Sequence, residues 1–421
     1  MMQYPKTLRT KPEIPIRILR IIARLNVGGP SIQAITLAKD LSSDGYKSLL
    51  VTGKVGTNEE DMGYLAREKD VKPITIVELG REISLLNDIR AFLVLRRIVR
   101  KFKPHIVHTH TAKAGTVGRL AAVSVNLTSF RSRRIKIVHT FHGHVFHSYF
   151  KSYKTFIFVL IERVLAKFTS RIIVISNLQK IDICSRFKIA ADKKVNIIPL
   201  GFDLSKFGKD KKTRKIVRAK YLNSNSKNKF LVGIVGRLTD VKNHSLLIRA
   251  FKVLKDRKVD YFKCILVGDG ELKESLMSEV LKLGLKDSFI FVGWQKDMPS
   301  LYQAFDVVVT TSRNEGTPVT LIEAMASGIP VAATDVGGVR DLFGSLEGES
   351  DQGFSLAQNG ILIRPGDAEA VANALMFLFN EKERAERMAE RARDFIQKNY
   401  SFDRLSYDIR SLYRELVPDN H

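Results

Sequence analysis

Short runs of branched aliphatic residues alternate, along most of the chain, with stretches whose apolar residues recur every three or four positions. A continuous short apolar run is typical of a parallel strand buried on both faces, and the wider spacing is typical of an amphipathic helix. The first half therefore alternates strands with helices, among them one from about Ser31 and others at 84–103 and 153–169. Its predicted strands are 17–25, 48–52, 74–79, 105–110, 135–141, 171–176 and 195–201.

The alternation restarts after a polar and basic stretch at 202–229, which the pattern indicates as a linker. The strands predicted after it are 230–236, 263–268, 289–293, 306–312, 330–335 and 360–365. Two successive series of strands and helices predict an α/β protein with two doubly wound parallel sheets. The predicted domains are 1–205 and 230–400, followed by a C-terminal helix at 401–421 that is expected to pack back on the first domain.

Composition narrows the class of protein. The 421 residues are 44% hydrophobic, which is ample for two soluble cores. Cys184 and Cys264 stand far apart in the sequence, so they predict neither a disulfide framework nor a thiolate metal site. No apolar run approaches the roughly 20 residues of a membrane span, and the basic N-terminus lacks the apolar stretch of a signal peptide. These features predict a cytoplasmic protein.

The net charge of +25 lies mostly in the first half, where residues 1–205 hold 35 Lys and Arg against 15 Asp and Glu. Between Asp88 and Asp182, eighteen basic residues accompany a single acid, Glu162. So wide an excess favours an anionic partner such as nucleic acid, a phospholipid surface or a pyrophosphate, and a merely solvated basic surface is the alternative. No interleaved aromatic and basic module of a nucleic-acid-binding type is present, so nucleic acid is not the expected partner.

The ends of the predicted strands carry the candidate chemistry. Ligands of doubly wound sheets bind where the strands end, and two sheets in one chain suggest a cleft between them. Arg237 and Lys242 follow the strand at 230–236 and suit a diphosphate, because a guanidinium bonds two oxygens and an ammonium adds a point charge. Basic residues after strands are common, so these two carry little weight by themselves.

A loop with two carboxylates follows the strand at 306–312. Glu315 lies in the loop, Pro318 suits the first turn of the next helix, and Glu323 lies further along that helix. The free backbone N–H groups at a helix start suit a phosphate or an anionic leaving group. A capping loop followed by an ordinary helical glutamate explains the same residues equally well.

Seven of the nine histidines fall within 105–147. They lack the His-Glu-x-x-His spacing of a zinc site and have no thiolate partner, so the cluster does not predict a metal site. The strands that end near His110 and near His142 and His144 would bring these rings to one region, where an imidazole can hydrogen-bond a sugar hydroxyl or a phosphate. The cluster is therefore interpreted as part of a sugar-phosphate pocket.

Several segments together resemble the family 4 retaining glycosyltransferases. The spacing of Glu315 and Glu323 within NEGTPVTLIEAMASGIPVAATDVGG matches the E-x₇-E motif of that family, and upstream stand GRLTDVKNH and VGDGE. Enzymes of bacterial surface-polysaccharide assembly also have segments similar to RLNVGGPSIQ, HTHTAKAGTVGRLAA and HTFHGHVFHSYF. The resemblance covers nearly the whole chain. It implies the GT-B architecture, in which two Rossmann-like domains face a cleft.

The resemblance implies a reaction and a donor site. A sugar would pass from a nucleotide-sugar donor, foremost a UDP-sugar, to a glycan or polyprenyl-pyrophosphate-linked acceptor with its anomeric configuration retained. Arg237 and Lys242 would bind the donor diphosphate and offset the charge that develops on the leaving nucleotide, so neither a metal nor another cofactor is expected. Glu315 would contact hydroxyls of the donor sugar, and Glu323 would hold the ribose.

Further donor contacts are implied in both halves. His142 or His144 would lie near the transferred sugar, with His110 in the same region, whereas Trp294 either borders the nucleobase or is a structural aromatic. Two glycines after the first strand would let the backbone approach the phosphates or the acceptor, and a turn after Glu315 would offer its amides to the sugar and phosphate. These additional donor-binding residues are Gly28, Gly29, Gly316, Thr317, Pro318, Val319 and Thr320.

Two routes of transfer stay open: front-face attack through an oxocarbenium-like ion pair, and double displacement through a covalent intermediate. No carboxylate stands out as the nucleophile of a double displacement, and the resemblance favours the front-face route with the leaving phosphate as base. A nucleotide-sugar epimerase and a non-catalytic basic binding protein of the same architecture are the alternatives from other functional classes.

The first half also predicts where the protein works. The segment 149–158 interleaves aromatic residues with lysines in a region almost without acids. Aromatic rings and basic side chains together favour the headgroup region of an anionic membrane. We therefore expect peripheral attachment to the inner face of the cell membrane, with packing of these aromatics under the sheet as the alternative.

Overall fold

The computed structural model describes residues 15–26, 28–56, 61–80, 84–128, 134–142, 152–222 and 229–418. The chain forms two compact units. The first unit comprises the chain up to Phe202 together with the residues from Phe402 onward, and the second unit comprises Asp203–Ser401.

The first unit contains a seven-stranded sheet in which every strand pairs parallel to its neighbours, in the order β3-β2-β1-β4-β5-β6-β7. This is the strand order of a Rossmann-like doubly wound sheet. The strands are β1 (Ile16–Ile22), β2 (Tyr46–Gly53), β3 (Ile74–Ile76), β4 (Ile106–His110), β5 (Lys136–Phe141), β6 (Arg171–Val174) and β7 (Val195–Ile197).

The second unit contains an eight-stranded sheet in the order β10-β9-β8-β11-β12-β15-β14-β13. The first six strands of this order pair in parallel, and the last two pair antiparallel. The strands are β8 (Phe230–Val235), β9 (Phe262–Val267), β10 (Phe289–Gly293), β11 (Val307–Thr310), β12 (Val331–Thr334), β13 (Leu346–Glu349), β14 (Phe354–Ala357) and β15 (Gly360–Ile363).

Helices connect the strands of both sheets, and three consecutive helices follow the last strand. They are α1 (Gly29–Asp40), α2 (Gly63–Glu68), α3 (Leu85–Phe102), α4 (Ala112–Thr128), α5 (Ser152–Phe168), α6 (Asn177–Ile181), α7 (Lys211–Tyr221), α8 (His244–Asp256), α9 (Lys273–Lys282), α10 (Met298–Tyr302), α11 (Val319–Ala326), α12 (Arg340–Phe343), α13 (Ala368–Asn380), α14 (Lys382–Tyr400) and α15 (Phe402–Leu416). The predicted α/β class with two doubly wound sheets is confirmed.

Strand β1 shows why apolar runs are continuous in this chain. Leu19 and Ile21 point to one face of the sheet, where α3 and α4 cover them, whereas Ile16 and Ile18 point to the other face, where α1 and α15 cover them. A strand with helices on both faces has no solvated side, so apolar residues occupy successive positions. Two arginines of β1 break this pattern: Arg17 is partly exposed, whereas Arg20 is fully buried.

The last helix, α15, belongs to the first unit although its chain neighbours belong to the second. Its apolar residues, including Leu405 and Ile409, pack in the same core as Ile18. The Arg404 guanidinium donates hydrogen bonds to the carbonyls of Pro199 and Leu200, at 2.8 and 2.6 Å. The start of α15 is thereby bound to the chain segment that leaves the first sheet.

The polar stretch at 202–229 contains a helix, α7, that belongs to the second unit. Arg214 and Arg218 pair with the two carboxylate oxygens of Asp306, at 2.5 and 3.0 Å. Asp306 also accepts a hydrogen bond from the backbone N–H of Leu231 at 2.6 Å, next to the start of β8. The basic composition of this stretch thus serves in part to attach a solvent-facing helix to the second sheet.

The antiparallel pair β13 and β14 escaped the sequence prediction. β13 has the sequence LEGE and is mostly exposed, so it lacks the apolar run that marks the central strands. It forms because it pairs with β14, which in turn pairs with β15. No helix in the described part of the chain is long and apolar enough to cross a membrane.

A buried ion pair joins α4 to α5 beneath the first sheet. The Arg119 guanidinium contacts both carboxylate oxygens of Glu162, at 2.6 and 2.7 Å, and the side chains are 1% and 0% exposed. Glu162 is the single acid between Asp88 and Asp182. It neutralises an internal arginine, so the basic excess of this region stays on the surface.

We predict that Glu162→Gln destabilises the protein by roughly 3–5 kcal/mol, because it leaves the buried Arg119 charge uncompensated. Urea unfolding followed by circular dichroism measures this. The matched control is Glu383→Gln, which removes the solvent-exposed partner of Arg387 and should change stability by less than about 1 kcal/mol. Equal effects of the two substitutions would contradict the assignment.

Candidate active site

The second sheet reverses its strand order between β8 and β11, which lie side by side. In open parallel sheets, ligands bind outside the carboxyl ends of strands at such a reversal. Arg237 and Lys242 follow β8, and Glu315 follows β11. The residues predicted from the sequence therefore lie on the two loops that flank this position.

Lys242 and Glu315 form an ion pair across the two loops. The Lys242 Nζ atom lies 2.6 Å from Glu315 Oε1, and the Ser312 hydroxyl donates a second hydrogen bond to that oxygen at 2.6 Å. The Glu315 side chain is only 9% exposed, whereas the Lys242 side chain is 25% exposed. The carboxylate is therefore held in one position at the edge of the sheet.

Hydrogen bonds tie the loop after β8 to the loop after β11. The Arg313 N–H donates to the Val241 carbonyl at 2.8 Å, and the Thr311 hydroxyl donates to the Asn243 carbonyl at 2.9 Å. Arg237 is exposed, and its side chain has no hydrogen bond or ion pair with any residue that the structure describes. A guanidinium in this state is available for an anionic ligand.

A glycine allows a third loop to support Glu315. The Gly338 N–H donates to the Glu315 carbonyl at 3.0 Å. Gly337 has a φ of +55°, and a Cβ atom there would lie 2.0 Å from the Glu315 carbonyl oxygen. Any side chain at this position would push away the backbone that carries the carboxylate.

Helix α11 begins directly after the Glu315 loop. Pro318 occupies the N-cap position, and its carbonyl accepts from the N–H groups of Leu321 and Ile322 at 3.2 and 3.3 Å. The amides of Val319 and Thr320 precede the first helical hydrogen bond, and the N-terminal end of a helix carries partial positive charge. Gly316 and Thr317 form the turn that leads into this end, so all five predicted residues lie together at the helix start.

Glu323 lies inside α11, where its carboxylate accepts a hydrogen bond from the Tyr302 hydroxyl at 2.9 Å. Desolvation raises the pKa of Glu323 to about 7, although the Tyr302 hydrogen bond opposes this rise. The same burial, with the charge of Glu323, raises the pKa of Tyr302 well above its usual value. Trp294 follows β10 and is 49% exposed.

In the first sheet, the strand order reverses between β1 and β4. Gly28 occupies the N-cap position of α1, and Gly29 is its first residue. No side chain caps this helix, so its first amides face the carboxyl edge of the sheet without an intrahelical partner. The assignment of Gly28 and Gly29 to a phosphate or an acceptor stays a prediction.

The structure brings His110 and His142 together. His110 Nδ1 lies 2.8 Å from His142 Nε2, and the rings stack with centroids 5.1 Å apart. His110 is fully buried, and its other nitrogen, Nε2, lies 3.1 Å from Arg20 Nη1. Both ring nitrogens of His110 are therefore engaged within the protein. His144 lies outside the described residues.

Burial keeps these imidazoles uncharged. It lowers the pKa of His110 well below the usual value, with neighbouring His108, His142 and Arg20 as further causes. Burial and then the Arg20 charge lower the pKa of His142 to about 3. The rings bond to one another, and within the described ranges no three His, Cys, Asp or Glu side chains converge as a metal site requires.

Several residues of these two sites escaped the sequence prediction. His244, the first residue of α8, is buried beside Lys242, and burial lowers its pKa to about 4. Tyr413 contacts Arg20 although the two residues lie 393 positions apart in the chain. Contacts at such separations leave no local pattern. The other residues that contact the predicted ones, and that the sequence did not single out, are Arg20, His108, Tyr302 and Ser312.

Comparisons with known proteins identify the class that this fold and these loops define. Residues 27–206 match the model of Glycosyltransferase Family 4, and residues 217–395 match the model of Glycosyl transferases group 1. Together the two models cover most of the chain. The chain therefore belongs to the family 4 and group 1 glycosyltransferases, and it is a glycosyltransferase of the GT-B fold.

Two curated relatives and one solved structure illustrate the similarity. The UDP-Gal:alpha-D-GlcNAc-diphosphoundecaprenol alpha-1,3-galactosyltransferase of Escherichia coli is 29% identical over 83% of this chain and 85% of its own length. The capsular polysaccharide biosynthesis glycosyltransferase CapM of Staphylococcus aureus is 26% identical over 85% of this chain and 89% of its own. The Anabaena protein HepE, crystallised with UDP, aligns over 95% of this chain and all of its own with a TM-score of 0.76 and 20% identity, and so shares the fold.

We predict that Glu323 makes stability depend on pH. Its pKa of about 7 exceeds its usual value of 4.5, so between these values the unfolded chain loses the proton while the folded chain keeps it. This contribution to stability is complete below about pH 4.5 and is lost as the pH rises through about 7, by on the order of 3 kcal/mol.

Glu323→Gln keeps an acceptor for Tyr302 without the charge. The variant should therefore melt at a higher temperature than the wild-type protein at pH 8 and at a similar temperature at pH 4.5, as measured by differential scanning calorimetry. A melting difference that is the same at both pH values would contradict the raised pKa.

Proposed function

We propose that the chain is a retaining glycosyltransferase that moves a sugar from a UDP-sugar to a glycan or lipid-linked acceptor in cell-surface polysaccharide synthesis. The observation that carries the proposal is the pair of loops after β8 and β11, which present Arg237, the Lys242–Glu315 ion pair and the start of α11 at one edge of the sheet. The named activities of the Escherichia coli and Staphylococcus aureus relatives support the donor and the type of product.

The donor diphosphate matches the charges on these loops. Arg237 offers a guanidinium that pairs with no described residue, and Lys242 is the more exposed partner of its ion pair. A diphosphate adds negative charge beside Lys242, and the amides at the start of α11 can bond its oxygens. The hydroxyl groups of the donor sugar then lie next to Glu315, whose carboxylate can accept hydrogen bonds from them. Glu323 is assigned to the ribose.

The proposed reaction proceeds on one face of the sugar. The bond between the anomeric carbon and the diphosphate oxygen breaks, and its electron pair leaves with the UDP. The acceptor hydroxyl oxygen bonds to the same face of that carbon, and its proton passes to the departing phosphate. Arg237 and Lys242 stabilise the charge that develops on the leaving group, which is a role that a metal fills in other enzymes. In the first unit, His142 and His144 are assigned to the transferred sugar.

We predict that combined Arg237→Ala and Lys242→Ala lowers kcat with a saturating UDP-sugar by at least ~10²-fold, because preorganised charge on the leaving group is lost. Glycosyl transfer or donor hydrolysis measured by released UDP tests this, first across a panel of UDP-sugars. Arg249→Ala with Lys282→Ala removes two exposed cations from the same unit and should leave kcat unchanged.

A chelator distinguishes the metal-independent mechanism from a metal-dependent one in the same assay. Transfer by the wild-type enzyme should be equal with and without EDTA, since the two cations perform the task of a metal. Loss of transfer in EDTA that manganese or magnesium restores would overturn the metal-independent mechanism. Near-normal kcat in the doubly substituted enzyme would overturn the phosphate assignment, and interconversion of the UDP-sugar without transfer would favour an epimerase.

A lipid-linked acceptor requires access to a membrane, and one face of the first unit suits this. Helix α4 packs between α3 and α5, and these helices carry more than half of the exposed large apolar residues in the described chain. Their two acids, Asp88 and Glu162, pair with Lys113 and Arg119. The exposed apolar residues of this face are Leu85, Leu86, Ile89, Leu93, Leu120, Leu127, Phe156, Ile157, Leu160, Ile161, Val164 and Phe168.

Helix α5 carries the densest part of this apolar face. Phe156 and Leu160, one turn apart, are 67% and 51% exposed, and Arg163 and Lys167 follow on the same helix. An amphipathic helix with basic residues beside apolar ones binds anionic lipid by burial and by charge. Of the interleaved segment 149–158, the residues before Ser152 lie outside the described part of the chain. We therefore assign this face to the anionic inner surface of the cell membrane.

We predict salt-sensitive binding to vesicles that contain an anionic phospholipid, and weaker binding to neutral phosphatidylcholine vesicles. Phe156→Ser with Leu160→Ser should lower the affinity for anionic vesicles by at least about tenfold, because two exposed apolar side chains that would be buried in the lipid are lost. Cosedimentation measures both effects.

The control is Met277→Ser with Leu281→Ser on α9 of the second unit, where the residues have the same spacing and are 44% and 59% exposed. These substitutions should leave vesicle binding unchanged. Equal binding of the wild-type protein to anionic and neutral vesicles, or equal losses in the two double variants, would contradict the assigned face.

A further inference from the structure

A positively charged side chain lies in the core of the first sheet without a counter-ion. Arg20, in β1, is 0% exposed, and no carboxylate among the described residues forms an ion pair with it. In the described part of the chain, its guanidinium contacts only uncharged groups: two histidines and the hydroxyl of Tyr413. Burial of an uncompensated charge destabilises a fold, so this arrangement calls for another explanation.

The donor-only guanidinium determines where the protons of the histidines lie. Arg20 Nη1 lies 3.1 Å from His110 Nε2, which must accept the hydrogen bond and therefore carries no proton. The proton of neutral His110 is then on Nδ1, which donates to His142 Nε2 at 2.8 Å. Consequently His142 Nε2 is an acceptor, and the proton of His142 is on Nδ1.

A second branch runs from Arg20 in the same direction. Nη2 donates to the Tyr413 hydroxyl at 3.2 Å, and that hydroxyl donates to His108 Nδ1 at 2.6 Å. His108 Nε2 then donates to the Thr140 hydroxyl at 2.7 Å. Every hydrogen bond of both branches points away from Arg20. We call Arg20, His108, His110, His142 and Tyr413 the histidine relay.

The first branch ends on a donor without an acceptor. His142 Nδ1 is shielded from water and has no hydrogen-bond partner among the residues that the structure describes. An unsatisfied buried donor destabilises a protein, and such groups in native structures call for an explanation. His142 directly follows β5, at the carboxyl edge of the sheet where ligands of parallel sheets bind. An oxygen atom of a bound ligand would satisfy it.

We propose that Arg20 is a positioning residue that fixes His142 as an Nδ1–H hydrogen-bond donor to an oxygen of the sugar nucleotide. The identity of this ligand rests on the proposed function, whereas the direction of the relay rests on the contacts of Arg20 alone. The uncompensated charge of Arg20 strengthens the donor through His110, because each polarised hydrogen bond favours the next.

Nuclear magnetic resonance of ¹⁵N-histidine-labelled protein tests the direction of the relay. Long-range correlations between ring protons and ring nitrogens distinguish Nδ1–H from Nε2–H, and His142→Asn assigns the signal. Wild-type His142 and His110 should both be Nδ1–H, and His108 should be Nε2–H. A wild-type His142 in the Nε2–H form overturns the proposal without the need for any relay variant.

Variants of Arg20 distinguish a role in fixing the tautomer of His142 from a purely structural role. Arg20→Met should release His142 into a mixture of tautomers, whereas Arg20→Lys, which still only donates, should keep Nδ1–H. Tyr413→Phe should change the tautomer of His108 and leave the tautomer of His142 unchanged. The control is Arg17→Met, since Arg17 lies on the same strand and contacts the ring of His105 at 3.3 Å, and no change at His142 is expected there. An unchanged His142 tautomer in folded Arg20→Met overturns the proposal.

Ligand titration tests the recipient of the hydrogen bond. UDP and UDP-sugars added to the wild-type protein should shift the His142 Nδ1–H signal, and no shift with a UDP-sugar that is turned over would overturn the assigned recipient. Arg20→Met should lower kcat by about 10- to 100-fold, by analogy with the loss of a group that orients a metal-bound histidine, and Arg20→Lys should recover part of it. Absence of any UDP-sugar turnover by the wild-type protein would refute the proposed function, whereas the tautomer measurement would stand independently.

Discussion

Parallel strand pairing around β1 and β8 is the constraint on which both candidate sites depend. Parallel neighbours end at the same edge of a sheet, and in both units the strand order reverses beside the first strand. Loops that leave adjacent strands in opposite directions cannot cover each other, so their backbone amides and side chains stay available at that edge. Arg237, Lys242 and Glu315 occupy this position in the second unit, and Gly28 occupies it in the first.

The basic residues fall into two groups: some pair with carboxylates inside the fold, and others have no carboxylate partner among the described residues. Arg119 is neutralised by Glu162 inside the first unit, and Arg214 is neutralised by Asp306 in the second. Arg237 and Arg20, in contrast, have no carboxylate partner among the described residues, although one is exposed and the other is buried. Net charge alone does not distinguish these groups, because pairing depends on residues that are distant in sequence.

The loops after β8 and β11 were predictable because the pattern that marks them is local in sequence. The E-x₇-E spacing of Glu315 and Glu323 survives in the structure as a loop residue and a helix residue, and the two carboxylates acquire different partners. Lys242 holds the first, and Tyr302 holds the second. The raised pKa of Glu323 follows from its surroundings and not from its position in the motif.

The amino-acid pattern by itself determined the α/β class and the order of the central strands along the chain, because a strand covered on both faces is apolar at most positions. It also marked the loops where ligands of such sheets bind. Only the tertiary structure decided which groups meet within the core. Arg20 and Tyr413 lie at opposite ends of the chain, and their contact, which continues from Tyr413 to His108, exists because α15 packs against the first sheet. A hydrogen bond depends on distances in space, and these are set only when the sheet and its covering helices have assembled.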